Sequence, residues 1–364
     1  MKFRTLILST LCLMAVSTMF FACDDDDDNR FDNDTLVVLP KGRAFILNEG
    51  IYGMNNANVS FYNSVTGDVM ADVYSLQNGG KKLGDTGQDM IFYYGNIYVV
   101  LNGSRYITRL NDSGVELARY AFAEELGDPR YMAAKDGKIY VTLYSGNVAR
   151  LDAETLALAQ MVAVGYNPEQ LVAKDGFLYV VNSGWGYDNR LSIIDLNTFE
   201  SAEHVEIMTN PQRIIEVNDY LFIQGYGAAY PDPYTYPVQL YNPQTKTTTT
   251  IGRGTHIASY EDKLYVAYCS TVDWVNYTTT FYTYDTRSGV KSETSFLKDA
   301  PADLLSGNVY MLEVNPENGD IYVGVTYYDA GEGDIYRFSA DGTFLSSFES
   351  GGLGPSAMVF FSKY

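Results

Sequence analysis

The sequence predicts an all-β fold made of one four-stranded unit repeated seven times, and three observations predict it. An apolar and aromatic strand recurs after a turn: GRAFIL, GNIYVV, GKIYVT, GFLYVV, DYLFIQ, DKLYVA and GDIYVG. Its aromatic residues are Phe45, Tyr98, Tyr140, Tyr179, Phe222, Tyr265 and Tyr322, mostly about forty residues apart, the length of a four-strand repeat. A second pattern follows each: an alternating strand, an Asn, Asp or Ser turn, and another strand, as in SFYNSVTGDV, TRLNDSGVEL and YTYDTRSGVK. The ends are complementary. Residues 43–76 supply three strands of a unit without its first, and the tail GLGPSAMVFF supplies a first strand with nothing after it.

Each unit therefore reads as strands A to D. Strand A precedes the aromatic strand, as in DPRYMAAKDG, YNPEQLVAKDG and TNPQRIIEVND; strand B is the aromatic one; C and D flank the Asn/Asp/Ser turn. This is the pattern of a seven-bladed β-propeller with four antiparallel strands per blade. Pairing of the N- and C-terminal strands in one blade would close the ring and remove a free sheet edge. No WD signature is present, and the two Trp residues are too few to supply one per blade.

The first 23 residues, MKFRTLILSTLCLMAVSTMFFAC, have a basic start (Lys2, Arg4), an apolar stretch and a small residue before Cys23. That stretch is short and early for a membrane-spanning helix and reads as a secretory signal, residues 1–22. The cysteine directly after FFA resembles a bacterial lipobox, with Cys23 the acylated first residue of the mature chain. Five aspartates follow at 24–28. Adjacent like charges stay extended and solvated, so residues 23–40 are expected to be a flexible tether. The run lacks the glycine turn and interleaved spacing of a calcium loop. A Cys followed by an acidic run resembles the export signal of Bacteroidetes lipoproteins placed on the outer face of the outer membrane. Residues 41–364 are expected to form a single propeller domain.

Composition narrows the function. The formal charge is −20, with 45 acidic against 25 basic residues, which repels phosphate backbones and argues against a nucleic-acid partner. With Cys12 in the signal sequence and Cys23 taken up by acylation, Cys269 is alone in the body and reads as a core strand residue, so no intrachain disulfide is expected. The two histidines, His204 and His256, are well separated, which disfavours a His-rich metal site or a His-based triad. There are 32 Tyr against 18 Phe, and tyrosine suits both strands and binding surfaces.

Those tyrosines concentrate in one set of loops. Propeller geometry puts the B–C loops and the openings of strand A on the same face. The B–C loops are aromatic: residues 225–237 read GYGAAYPDPYTYP, and others read NSGWGYDNR and CSTVDWVNYTTT. They hold Tyr52, Trp185, Tyr187, Tyr226, Tyr230, Tyr234, Trp274, Tyr277 and Tyr327. Strand A opens on polar pairs: Gln88/Asp89, Arg130/Tyr131, Glu169/Gln170, Gln212/Arg213 and Thr255/His256. From these two groups we take as candidate ligand contacts the B–C residues without Tyr277, together with Gln88, Arg130, Tyr131, Gln170, Arg213 and His256. An aromatic wall with a ring of amides and hydroxyls holds a bulky, partly apolar ligand. No GxSxG elbow, CxxC pair, HExxH helix or phosphate-cradling glycine loop occurs, so no catalytic residue is assigned and an enzyme is not expected. Glu49, Asp89, Glu169 and Asp303 are the carboxylates that a metal-dependent lactonase would use.

The lipobox, acidic run, seven repeats and tyrosine-rich loops together span almost the whole chain. They resemble the BtuG-type cobalamin-binding lipoproteins of gut Bacteroidetes, which are YncE-like propellers. The resemblance implies a surface-exposed outer-membrane lipoprotein, tied to the membrane by its lipid alone. It would capture vitamin B12 or a related corrinoid as transported ligand, with no catalytic cofactor and no resident metal. Its partner would be a TonB-dependent cobalamin transporter. Glycan capture, a purely protein-binding propeller and a lactonase are the alternatives.

Overall fold

Strand B reads as a continuous apolar run because blades stack face to face and bury it on both sides. In NIYVVL (Asn96–Leu101) and KIYVTL (Lys138–Leu143) every residue after the first is buried. Strand D lies at the rim and alternates instead, as in Glu116–Ala121 and Phe344–Glu349. The computed structural model describes Leu39 and residues 43–361. The expected signal sequence, the acylated Cys23 and, Leu39 apart, the acidic tether lie outside them.

Seven four-stranded antiparallel sheets result. Blade 1 joins the ends: Pro355–Phe360 is its strand A, followed by Arg43–Asn48, Asn58–Asn63 and Val69–Met70. In it Phe45 faces Val359 on one side and Phe61 on the other. Strand A of blades 2 to 7 is Gly87–Tyr93, Pro129–Lys135, Pro168–Lys174, Pro211–Val217, His256–Tyr260 and Asn308–Val314. Each strand A contacts the next, and that of blade 1 contacts both blade 7 and blade 2, so the ring closes.

The core follows from this stacking. Buried apolar residues fall into seven clusters, each shared by two neighbouring blades, and the strand-B aromatics fill them. The closing interface, for example, packs Tyr62 of blade 1 against Tyr322 of blade 7, with Phe348 stacked on Tyr62 at 4.2 Å.

Turn chemistry sets the register. Tyr94-Gly95, Asp136-Gly137 and Asp175-Gly176 link strands A and B, and both residues of each pair have positive φ, the requirement of a two-residue type I′ hairpin. On the C–D side Asn63, Asn111, Asp152, Asp195, Asn242 and Asp285 each accept a hydrogen bond from the backbone N–H two residues on, an Asx turn. Two one-turn helices, Val73–Gln77 and Ala302–Ser306, interrupt the repeat between blades. Asp72 caps the first by accepting from the Ser75 N–H at 3.1 Å.

Candidate functional site

Strand A carries a β-bulge at its opening in six of the seven blades, at Gly87/Asp89, Pro129/Met132, Pro168/Leu171, Pro211/Arg213, Val309/Met311 and opposite Leu47/Asn48. A bulge bends its strand and re-aims side chains. Proline suits the first position because a bulge leaves its missing N–H unneeded. In each bulge two residues of strand A oppose one of strand B, and the residue after them is buried and apolar: Met90, Met132, Leu171, Ile214, Leu312 and Met358, with Ile257 at the same position of blade 6.

Residues of these bulges floor a cavity of about 520 Å³, with Thr255 and His256 from the regular opening of blade 6: Gln88, Arg130, Tyr131, Gln212, Arg213, Tyr310 and Ser356 all line it beside them. Its wall comes from blades 5 to 7. Tyr226 and Tyr234 stack at 4.8 Å with 21° between ring planes, and Tyr236 stands edge-on to both at 5.8 and 5.9 Å. The loop is held by the N–H groups of Thr235 and Tyr236, which both donate to the Tyr226 carbonyl at 2.9 and 3.1 Å. Gly227 has φ +76° at a point where a Cβ would run into Pro237, so the tight fold of this loop requires glycine. Blade 6 adds Trp274 and Tyr277 from a hairpin whose strands, Lys263–Thr271 and Tyr277–Asp285, are nine residues long. Asp273 knots its tip by accepting from the N–H groups of Val275 and Asn276 at 3.0 and 2.7 Å. Tyr328 completes the wall from blade 7.

Charges on the floor are arranged in two sets. Arg130 donates to Glu169 from Nε at 3.0 Å and Nη2 at 2.9 Å, and to Gln88 from Nη1. It lies over the rings of Tyr131 and Tyr144 at 5.4 and 5.0 Å. Glu169, 2% exposed, also accepts from Tyr144 and Ser183, each at 3.1 Å. Arg213 has no such partner; it lies 5.9 Å from the Tyr131 ring centre and between the cavity and a narrow channel beneath, which Glu313 lines.

Burial dominates the ionisation of this floor. It pushes Asp89 up to about 6, against the Met132 N–H that Asp89 accepts at 2.7 Å and the charge of Arg213. It pushes Glu313 up to about 7, with Arg213 pulling it down. Burial also raises Glu49, which accepts from the Tyr310 hydroxyl. His256 goes the other way, down to about 3, because burial and then the Arg213 charge disfavour the imidazolium. Its ring is held by Thr255 Oγ1 at 3.1 Å and by the Tyr310 backbone, so it serves as a neutral hydrogen-bonding group. Cys269 is a buried strand residue on the cavity margin, its thiol pushed up by burial.

Of the candidates chosen from sequence, Gln88, Arg130, Tyr131, Arg213, Tyr226, Tyr234, His256 and Trp274 meet around this cavity. Tyr52, Trp185, Tyr187 and Tyr230 occupy B–C loops but stand outside its lining, between 68% and 83% exposed. Trp185 rests edge-on against Tyr144 at 6.0 Å. The Tyr327 hydroxyl donates to Asp334 at 2.7 Å, and Gln170 accepts from the Ile214 N–H at 2.9 Å, tying blade 4 to blade 5. The cavity is off-centre, which sequence could not show. Tyr236, Tyr310, Tyr328, Gln224 and Asn308 line it and were not among the candidates. The repeat held a signal for Tyr310: Val309 pairs with Val325 as Pro129 pairs with Leu143, which puts Tyr310 at the strand position of Arg130.

The four carboxylates considered for a metal are dispersed in role. Glu49 lines the cavity, Asp89 and Glu169 are used as described, and Asp303 sits in the helix Ala302–Ser306. Among the described residues no group of three or more His, Cys, Asp or Glu could hold a metal ion.

Residues 41–219 match a family described as a domain of unknown function, DUF5074. The match covers just under half of the chain, from strand B of blade 1 through strand A of blade 5. No curated protein matches the sequence. Among solved structures, the chain is similar to a quinoprotein alcohol dehydrogenase-like protein from Bacteroides thetaiotaomicron, 15% identical with a TM-score of 0.62 over 88% of this chain and 78% of that one. It is also similar to hydrazine synthase from Kuenenia stuttgartiensis, 14% identical with a TM-score of 0.58 over 70% and 77%. A third is apo AztD from Citrobacter koseri, 11% identical with a TM-score of 0.53 over 88% and 98%. At these identities the likeness is one of fold.

Proposed function

We propose that this propeller is a ligand-capture protein of the cell surface, anchored by acylated Cys23, and that its ligand is a corrinoid of the cobalamin class. The observation that carries the reading is the cavity itself, with stacked tyrosines on one side and amide, hydroxyl and guanidinium groups on its floor. A corrin ring has apolar faces for the tyrosine and tryptophan wall and a rim of amides for Gln88, Gln212, Gln224 and Asn308. The volume of about 520 Å³ lies within the range of small-molecule sites. A corrinoid is larger than that, so part of it would rest at the mouth against exposed rings such as Trp274. The protein binds and releases its ligand without transforming it, handing it to a TonB-dependent transporter in the outer membrane.

Calorimetric titration of the mature chain with cyanocobalamin tests this. Micromolar or tighter binding is expected, and no heat at micromolar ligand overturns the corrinoid assignment. The exposed Trp185 and Tyr187 favour one second reading, glycan capture, since such rings also stack on sugars. Oligosaccharide binding that Trp185→Ala abolishes would select it. Loss of labelled palmitate from a Cys23→Ala variant tests the anchor.

A further inference from the structure

The two guanidinium groups of the cavity floor are used differently. The donors of Arg130 are taken up by Glu169 and Gln88. The side chain of Arg213, among the described residues, has neither a hydrogen bond nor a carboxylate within ion-pair distance. Glu313 and Asp89 act on it through charge at longer range, and Tyr131 through its ring face. Glu313 and Asp89 thus make a half-buried cation tolerable without occupying its N–H groups. A guanidinium stays charged and presents five donors in a planar fork that matches an oxyanion. Those donors open onto the cavity rather than into the core, so water serves them until a ligand oxygen displaces it, and an oxyanion accepts from them more strongly than water does.

Beside Arg213 stand the phenols of Tyr131 and Tyr226, both on the cavity lining. We propose that Arg213, with these two hydroxyls, is a receptor for an oxyanion carried by the ligand, a carboxylate or phosphate ester on an otherwise flat, apolar body. This rests on the cavity being the capture site and narrows the ligand class. The aromatic wall takes the flat body, and the fork of Arg213 fixes its orientation by holding the acidic substituent at the floor. A ligand lacking that substituent leaves the fork to water and binds more weakly.

Two fluorescent probes that differ in charge test the assignment: anilinonaphthalene sulfonate and the neutral phenylnaphthylamine. Each is titrated into the mature chain, Arg213→Gln and the charge-keeping Arg213→Lys. Arg213→Gln is expected to weaken the sulfonate probe about ten-fold or more, Arg213→Lys to recover part of that, and the neutral probe to change less than about two-fold. Sulfonate affinity that is absent from the wild type, or untouched by Arg213→Gln, overturns the proposal. If Arg213→Gln does not fold, Tyr131→Phe and Tyr226→Phe keep both rings; at least one must weaken the sulfonate probe selectively, and no change in either overturns the proposal.

Cyanocobalamin and dicyanocobinamide, which lacks the phosphate, separate this inference from the reading it rests on. Equal affinity for both overturns the role of Arg213 and leaves corrinoid capture standing. Binding of neither removes the corrinoid assignment, and the sulfonate titration still decides Arg213.

Discussion

Tyr234 and Tyr230 share one loop, and the contrast between them tests whether ligand binds at the cavity wall. Tyr234 stacks on Tyr226 at 4.8 Å and meets Tyr236 edge-on at 5.9 Å, whereas Tyr230 is 78% exposed and outside the lining. Tyr234→Ala removes two ring pairs worth about 0.5–1.5 kcal/mol each, so unfolding should become easier by about 1–3 kcal/mol. At roughly 2 cal/mol/K per residue, a domain of this length loses only about 2–4 °C in melting temperature. A wall ring that meets ligand at the centre of the site contributes about 2 kcal/mol or more, which is roughly 30-fold in Kd. Tyr230→Ala should change Kd less than about two-fold, as a rim contact does. Calorimetry with cyanocobalamin, alongside thermal unfolding of each variant, reads both quantities. Unchanged affinity in Tyr234→Ala, or equal losses in the two variants, would refute the placement of the site.

Glu169→Gln removes the negative partner of Arg130 from a buried pair and should destabilise the protein by about 3–5 kcal/mol, read as a lower urea midpoint at unchanged m. Stability should also depend on pH between 5 and 8. Asp89 and Glu313 have folded pKa values raised to about 6 and about 7, so their contribution is fully present at low pH and lost as pH rises through those values. The melting temperature should therefore fall from pH 5 to pH 8, and Glu313→Gln should flatten that fall; an unchanged slope in the variant would show that overall charge repulsion is responsible. Deleting residues 355–364 removes strand A of blade 1 and exposes the edge of Arg43–Asn48. The truncated chain should lose its single cooperative transition and self-associate, as size-exclusion chromatography would show.

Much of the frame was legible because each local signal repeats. The strand-B aromatics, the Asx residues and the A–B turns recur in register, so an error in one unit is corrected by the others. The complementary ends gave the closure, since a lone strand at 355–360 has no partner but Arg43–Asn48. The site was half legible for the opposite reason. Which residues reach the cavity depends on loop shape, and loop shape does not repeat. Tyr230 and Tyr234 are indistinguishable by composition, yet the turn that sends the Thr235 and Tyr236 N–H groups back to the Tyr226 carbonyl turns only one of them inward. Gln170 and Tyr131 hold the same strand position in blades 4 and 3, and only Tyr131 lines the cavity.

The frame and the site thus obey different rules, and their separation explains how a near-symmetric ring makes a one-sided pocket. Bulges at six strand-A openings set two residues against one, and the residue behind them is buried and apolar in all seven blades, so polar groups at these openings leave the core undisturbed. Blades 2 to 4 fill them with groups that lock the floor, such as the Arg130–Glu169 pair and the Asp89–Met132 bond. Blades 5 to 7 fill them with Arg213, His256 and Tyr310 and add the aromatic loops above. A floor fixed by its own hydrogen bonds on one side, facing a wall on the other, favours a ligand that is flat on one face and polar at one edge. Arg213 is the point where the two halves meet. Its free donors, rather than the number of tyrosines, are what would distinguish one flat ligand from another.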